Sequence, residues 1–153
     1  MRQFQFEADI YKSLDCVPMA ARRKLDGAGV KVSLEQWKSL SRPERIAICE
    51  MPAGSANETA ALRDFVNEVV LTRHGTAPKA LAEEKRAVAH PPSSPPSVLI
   101  ARAARFGFNL TQSEWDLIDD DERYALVKLG GSGDESHNLR AALGELIRRP
   151  SSR

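Results

Sequence analysis

The sequence predicts an all-α protein built from two tandem copies of a four-helix unit, packed as a pseudo-symmetric helical domain. Three observations support this prediction: the chain matches itself over a long stretch, its apolar residues recur at helical spacing between capping signals, and strand-like alternation is nearly absent. A length of 153 residues suits one hydrophobic core. We therefore expect residues 1–153 to form a single domain.

The internal match is gapless when residues 29–51 are placed on residues 107–129. It superimposes Trp37 on Trp115, and the chain contains only 2 tryptophans. Self-similarity of this kind predicts a repeated supersecondary unit whose copies bury their apolar faces together. The two repeats span about residues 18–74 and 96–149.

The first helix of each copy is delimited by proline and glycine. In the first copy a helix is predicted to open near Pro18, which suits the first turn, and to stop at Gly29. Its counterpart in the second copy is predicted to stop at Gly107. Apolar residues at helical spacing mark the buried sides of both helices: Ala21, Leu25, Leu99 and Ala103.

Each copy then carries two helix-capping signals with the spacing of a capping box. The pairs are Ser33 with Gln36, Ser41 with Glu44, Thr111 with Glu114, and Asp119 with Glu122. The tryptophan lies on the short helix that follows the first signal, and we expect it in the core. The fourth helix runs from about residue 57 to 74, or from about 135 to 149. The segment Gly130-Gly131-Ser132-Gly133 before the latter is interpreted as a flexible connector.

Residues 76–97 separate the copies and include Pro91-Pro92 and Pro95-Pro96. Such a segment is predicted to be an extended, semi-rigid linker, with a helical turn or two at about residues 80–87. Ahead of the first copy, residues 4–7 alternate like a short strand. Their two phenylalanines fit equally well an N-terminal arm that packs onto the helices.

Composition excludes several classes of partner. Lys and Arg number 22 against 21 Asp and Glu, so no strong net field attracts nucleic acid or an anionic membrane. No apolar run is long enough to span a bilayer, and residues 1–7 lack the apolar core of a signal peptide. Two cysteines fit a reducing compartment. We expect a cytoplasmic protein.

The sequence offers no constellation typical of catalysis or metal binding. His74, His90 and His137 form no zinc-ligand spacing, so we expect no metal and no cofactor. The acidic run at residues 119–122 suits the first turn of a helix, where carboxylates complement exposed N–H groups. The pairs Glu44-Arg45 and Glu122-Arg123 recur in both copies, which favours a structural role.

The two cysteines differ in setting. Cys49 aligns with Val127 on an apolar helix face, so it is predicted to be a small core residue. Cys16 lies at a helix entrance, a setting in which cysteine thiols can be reactive. A packed thiol is favoured there, and a reactive one is the alternative.

Several strings resemble the bacterial nitrate reductase-associated proteins, a family encoded close to assimilatory nitrate reductase genes. They are Phe4-Gln5-Phe6-Glu7-Ala8-Asp9, Cys16-Val17-Pro18-Met19, Lys24-Leu25-Asp26, Trp37 and Glu44-Arg45. The resemblance extends over nearly the whole chain. It implies a role in maturing, assembling or supporting nitrate reductase, with that enzyme or a component of its maturation as the partner. It carries no catalytic residues.

The ionisable residues of the family-like N-terminal strings are the candidate partner-binding face. They are Glu7, Asp9, Cys16, Arg22, Lys24 and Asp26. Because charged side chains are rarely buried, we expect several of them to be exposed around the first helix, unless caps and ion pairs within the chain engage them.

Three functions therefore compete. The favoured one is an accessory protein that acts by binding nitrate reductase and not by catalysis. The second is a small enzyme or redox protein that uses Cys16 with an acidic residue such as Asp9. The third is a nucleic-acid-binding module that uses residues 22–24 and Arg148-Arg149, against which the balanced charge argues.

Overall fold

The computed structural model of the chain describes residues 1–131 and 137–147. Within these ranges the α-helices are α1 Ala8–Ser13, α2 Met19–Ala28, α3 Leu34–Ser39, α4 Arg42–Glu50, α5 Ala56–His74, α6 Glu83–Arg86, α7 Ser97–Arg105, α8 Gln112–Asp116, α9 Asp120–Gly131 and α10 His137–Leu146. Two 3-10 turns cover Gln5–Glu7 and Ala87–Ala89. The prediction of a mostly helical protein is confirmed, and the tandem four-helix repeat stays a prediction.

The helices divide between two compact units. The first unit comprises Met1–Gln3 and Glu7–Ala89, and the second comprises Phe4–Phe6 with the chain from His90 onward. Residues 76–89 of the predicted linker, which are 14 of its 22 residues, therefore lie inside the first unit. There, strand β2 (Lys79–Ala80) pairs antiparallel with strand β1 (Val30–Lys31), with Val30 opposite Ala80.

The core of the first unit lies between α2, α3, α4 and α5. Its fully buried residues include Ala21, Trp37, Ile48, Leu62 and Val66. As predicted, α2 ends at Gly29, whose φ of 78° is the left-handed conformation that glycine adopts most readily. Both predicted capping boxes, Ser33 with Gln36 and Ser41 with Glu44, form in both directions.

In the second unit α7 packs closely against α9. A Cβ atom added at Gly130 would lie 2.7 Å from Cδ1 of Leu99, so glycine permits this approach. The Thr111 hydroxyl accepts the N–H of Glu114, and the Asp119–Glu122 pair is reciprocal. Residues 132–136 and 148–153 lie outside the described residues, and with them part of the predicted connector and of the last helix.

The N-terminal arm forms a 3-10 turn and not a strand. The rings of Phe4 and Phe6 stack with their centroids 5.2 Å apart, and Phe4 is buried. The backbone N–H groups of Gln5 and Phe6 donate to the Glu145 carboxylate at 3.1 and 2.9 Å. Of the two expectations for this segment, the packed arm is confirmed and the strand is wrong, because the turn lets one carboxylate accept two consecutive N–H groups.

Candidate functional site

The structure separates the six candidate partner-binding residues into two groups. Asp9, Cys16 and Arg22 are exposed, Lys24 is half-buried, and Glu7 and Asp26 are only 5% and 8% exposed. The candidates therefore do not form one continuous exposed face. Asp9 and Arg22 keep the accessibility that a docking residue needs.

Glu7 is buried because it caps α2. Its carboxylate accepts the N–H of Met19 at 3.1 and 3.2 Å, one contact to each oxygen, and the Tyr11 hydroxyl at 2.5 Å. Pro18, at the N-cap position, contributes no side-chain cap of its own. A carboxylate at this end of a helix is stabilised by the N-terminal partial charge. Glu7 therefore connects the N-terminus of α1 to the N-terminus of α2.

Lys24 belongs to α2, but its ammonium group lies at the C-terminus of α4, whereas Glu7 lies at a helix N-terminus. Its ammonium group donates to the carbonyl oxygens of Ile48, Cys49 and Met51 at 3.0, 2.7 and 2.7 Å. The last carbonyls of a helix have no partner within the helix, and a cation there also complements the helix dipole. Lys24 therefore joins α2 to α4.

The expectation of a packed thiol at Cys16 is wrong, since this residue is exposed. The reason is the sharp chain reversal after α1. Leu14 adopts a φ of 53° and is 5% exposed, which leaves Asp15 and Cys16 on the surface. Cys49 is buried as predicted, and burial raises the pKa of its thiol.

The recurring tryptophan and arginine pairs are structural, as predicted. Both indole rings are fully buried. In the first unit Arg45 donates to the carbonyl oxygens of Trp37, Leu14 and Lys38 at 3.2, 3.1 and 2.9 Å. In the second unit Arg123 donates to the Trp115 carbonyl at 3.2 and 3.1 Å and lies 5.6 Å from its ring centroid.

One exposed surface was not singled out from the sequence. Val98, Ala101, Ala104 and Arg105 lie on one side of α7 and are exposed, and we call them the outer face of α7. Val98 is 58% exposed. The available signal was the alignment of Arg23 with Ala101 and of Asp26 with Ala104, where apolar residues replace charged ones.

In residues 1–131 and 137–147 no group of three or more His, Cys, Asp or Glu side chains is placed to hold a metal ion. No helix described there combines the length and apolarity needed to cross a bilayer. The acidic run at residues 120–122 opens α9, as predicted, and Arg148-Arg149 lies outside the described residues.

Comparison with known proteins places the chain in a family. The family profile of the conserved nitrate reductase-associated proteins matches residues 3–146, which cover most of both units. Neither a search of curated proteins nor a search of solved structures returned a match. The chain belongs to the family of conserved nitrate reductase-associated proteins.

Proposed function

We propose that this protein is a non-catalytic accessory protein that binds nitrate reductase, or a component of its maturation, and supports maturation or assembly of the enzyme. The observation that carries the proposal is the family match over residues 3–146. The family is named for its association with nitrate reductase. An accessory role by docking would require a surface and no reaction centre.

The contacts within the chain support binding over catalysis. Glu7, Lys24 and Glu44, which are chemically able to serve as acids, bases or ligands, are each engaged at a helix end. The groups that remain exposed are suited to docking, namely Asp9, Arg22 and the outer face of α7. The two free cysteines suggest the reducing cytoplasm as the compartment.

The experiment is a binding titration of the purified full-length chain with purified nitrate reductase from the same organism, in its apo and holo forms. We expect saturable binding to at least one form. The double variant Asp9→Arg, Arg22→Glu tests the exposed candidates, and Lys38→Glu on α3 is the control, because Lys38 is also exposed. Absence of binding to both enzyme forms, together with normal nitrate growth of a strain lacking the protein, would refute the proposal.

The alternative of a thiol-dependent redox protein has one observation in its favour, the exposure of Cys16. An activity of this kind would disappear in Cys16→Ser, whereas an accessory role by docking would not depend on the sulfur atom. Complementation of nitrate growth by Cys16→Ser separates the two functions.

We also infer that the two units are copies of one helical motif. In each unit the indole N–H donates to a carbonyl 23 residues earlier, Trp37 to Leu14 and Trp115 to Pro92. In each unit an arginine 8 residues after the tryptophan donates back to the tryptophan carbonyl. An experimental structure in which residues 18–74 and 96–147 fail to superpose would refute the inference.

A further inference from the structure

Residues 79–89, which we call the strap, are attached to α2 and to the chain that follows it. The strap begins with β2, which pairs with β1 over two residues. The Leu81 N–H donates to the Gly29 carbonyl at 2.9 Å. At the other end of the strap, the Ala89 carbonyl accepts Nε of Arg23 at 2.8 Å. The strap is therefore held to α2 by polar contacts at both of its ends.

One side of α2 lies beneath the strap. A Cβ atom added at Gly27 would lie 3.4 Å from the Cβ of Ala89. Arg23 and Gly27 are four residues apart and so share one side of the helix, which we call the outer side of α2. Because both residues meet Ala89, the strap covers this outer side.

The strap contributes little to the apolar core. Within residues 79–89, Ala89 is buried, Leu81, Arg86 and Val88 are half-buried, and the other residues are exposed. The core of the first unit is instead built from buried residues between positions 14 and 70. Detachment of the strap therefore exposes little apolar surface, and the hydrophobic stabilisation of its closed state is small.

Helix α2 keeps its main attachments when the strap is detached. Glu7 caps its N-terminus, and Lys24 joins it to α4. Near its C-terminus, Nε of Arg63 on α5 donates to the Ala28 carbonyl at 2.6 Å. None of these contacts involves a residue of the strap, so α2 remains held by α1, α4 and α5.

We propose that the strap opens and closes as one unit while the core of the first unit stays folded. Local opening requires little free energy where a segment buries few apolar side chains. A two-stranded ladder as short as the β1–β2 pair is also only marginally stable by itself. The outer side of α2 is then accessible from solution in the open state alone. This inference is independent of whether the chain binds nitrate reductase.

The first test is native-state hydrogen exchange of the ¹⁵N-labelled full chain. The amides of Leu81 and Arg86 are hydrogen-bonded in the closed strap, and Ile48 and Val66 are fully buried helix residues of the core. We expect protection factors about 100-fold lower at the two strap amides than at the two core amides. Equal protection of strap and core would overturn the proposal.

The second test locks the strap with a disulfide between Gly27→Cys and Ala89→Cys. The two Cβ positions are 3.4 Å apart, close to the separation of about 3.5–4.5 Å in natural disulfides. Cys16→Ser in the same chain removes the exposed thiol that would compete. The reduced form of this protein is its own control.

In the oxidised form we expect protection at Leu81 to rise about tenfold or more, because the whole strap then stays closed, whereas protection at Ile48 stays unchanged. Leu81 lies at the opposite end of the strap from the cross-link. Unchanged protection at Leu81 would show that the two ends open separately, and the proposal of one unit would be overturned.

The third test loosens the strap with Leu81→Pro, which removes the N–H that donates to Gly29. Ala82→Pro is the matched control, because Ala82 already has a φ of -65°, the value that proline imposes. Leu81→Pro should lower protection at Arg86 about tenfold or more and leave Val66 unchanged, and Ala82→Pro should change neither. Loss of protection at Val66 in Leu81→Pro would mean that the strap is part of the core, and equal effects of the two variants would mean that the Leu81 contact does not hold it. Either result overturns the proposal.

Discussion

The two units share an anchor and differ in what precedes it. In the first unit the Leu14 carbonyl accepts both the Trp37 indole and the Arg45 guanidinium, at 2.7 and 3.1 Å. In the second unit the Trp115 indole donates to the Pro92 carbonyl at 2.9 Å. The acceptor is Leu14, which has a left-handed backbone conformation, in the first unit and Pro92, in a proline-rich stretch, in the second. Both carbonyls accept a tryptophan indole N–H. The anchor therefore requires an acceptor at a fixed place and tolerates different backbone routes to it.

The second difference inverts the usual relation between polarity and burial. On α2 the covered side includes Arg23 and Asp26, which are charged, whereas the corresponding side of α7 is exposed and apolar at Ala101 and Ala104. Charged groups are normally found outside and apolar groups inside. The two helices therefore differ in which side they bury, although their core-facing pairs Ala21 with Leu25 and Leu99 with Ala103 are equally buried.

The largest expected effect concerns the shared anchor. Truncation of Trp37 or Trp115 to alanine should each reduce the free energy of unfolding by about 3–5 kcal/mol, because both rings are fully buried and leave a cavity. The loss at Trp37 should be the greater, because the Leu14 carbonyl that accepts its indole N–H also accepts the Arg45 guanidinium. Urea denaturation measures both values, and a loss below about 1 kcal/mol at either site would break the comparison.

The next effect concerns a contact that the first unit makes through Lys24. Lys24→Met should reduce the free energy of unfolding by about 1.5–3 kcal/mol, because three carbonyl oxygens at the end of α4 lose a charged donor. Arg22→Met is the control on the same helix and should cost less than about 0.5 kcal/mol, since Arg22 is exposed. Equal losses in the two variants would contradict the capping role of Lys24.

Sequence reasoning succeeded where partners lie within a few residues. The C-terminus of α2 at Gly29 follows from the left-handed backbone that glycine adopts. The N-terminus of α3 at Ser33 follows from side chains that reach three residues along the chain. It failed where the partner is distant. Lys24 reaches carbonyls 24 to 27 residues away, and Arg23 meets Ala89 66 residues away.

The same distinction explains the candidate site. Several of the six candidates were expected on the surface because charge is costly to bury, but Tyr11 and Met19 satisfy the Glu7 carboxylate once α1 and α2 are assembled. Residues 83–89 were predicted as part of the linker, because their contacts with α2 depend on tertiary packing.

A smaller effect is expected at the helix crossing of the second unit. Gly130→Ala should reduce the free energy of unfolding by about 1–2 kcal/mol, because the new methyl group meets the buried Leu99 side chain. Gly144→Ala on α10 should instead stabilise by about 0.5–1 kcal/mol, since no atom of the described residues lies within 4 Å of the added Cβ. Thermal unfolding of the pair gives the sign of each change, and stabilisation by Gly130→Ala would refute the close approach of α7 and α9.

The Ser41–Glu44 capping box is joined to α5 by an ion pair, because Arg73 of α5 donates to both carboxylate oxygens of Glu44 at 3.1 Å. The backbone N–H of Ser41 lowers the pKa of Glu44 below its ordinary value. Burial opposes this lowering, and the Ser41 hydroxyl and Arg73 add to it. The stabilisation is thus fully present above the unfolded-state pKa and is lost as pH falls through the folded-state pKa.

Between about pH 5 and pH 3 the wild type should therefore lose more stability than Glu44→Gln, by less than about 1 kcal/mol for so accessible a pair. Urea titrations at both pH values measure this difference. Equal losses of stability in the two proteins would show that the Arg73–Glu44 ion pair contributes nothing to the pH dependence.

The smallest effect on stability accompanies a large difference in thiol reactivity. Cys16 is exposed and Cys49 is buried, and burial raises the pKa of the Cys49 thiol, so at neutral pH little thiolate is available there. A native chain treated with a chromogenic disulfide should show one thiol that reacts rapidly and one that reacts only when the first unit opens. Cys16→Ser should remove the rapid phase while changing the free energy of unfolding by less than about 0.5 kcal/mol.

Cys49→Val, which installs the residue found at the corresponding position 127, should remove the slow phase and leave the rapid one. Two rapid phases in the wild type would mean that the core of the first unit is open at Cys49, and the correspondence between Cys49 and the apolar position of the second unit would then be lost.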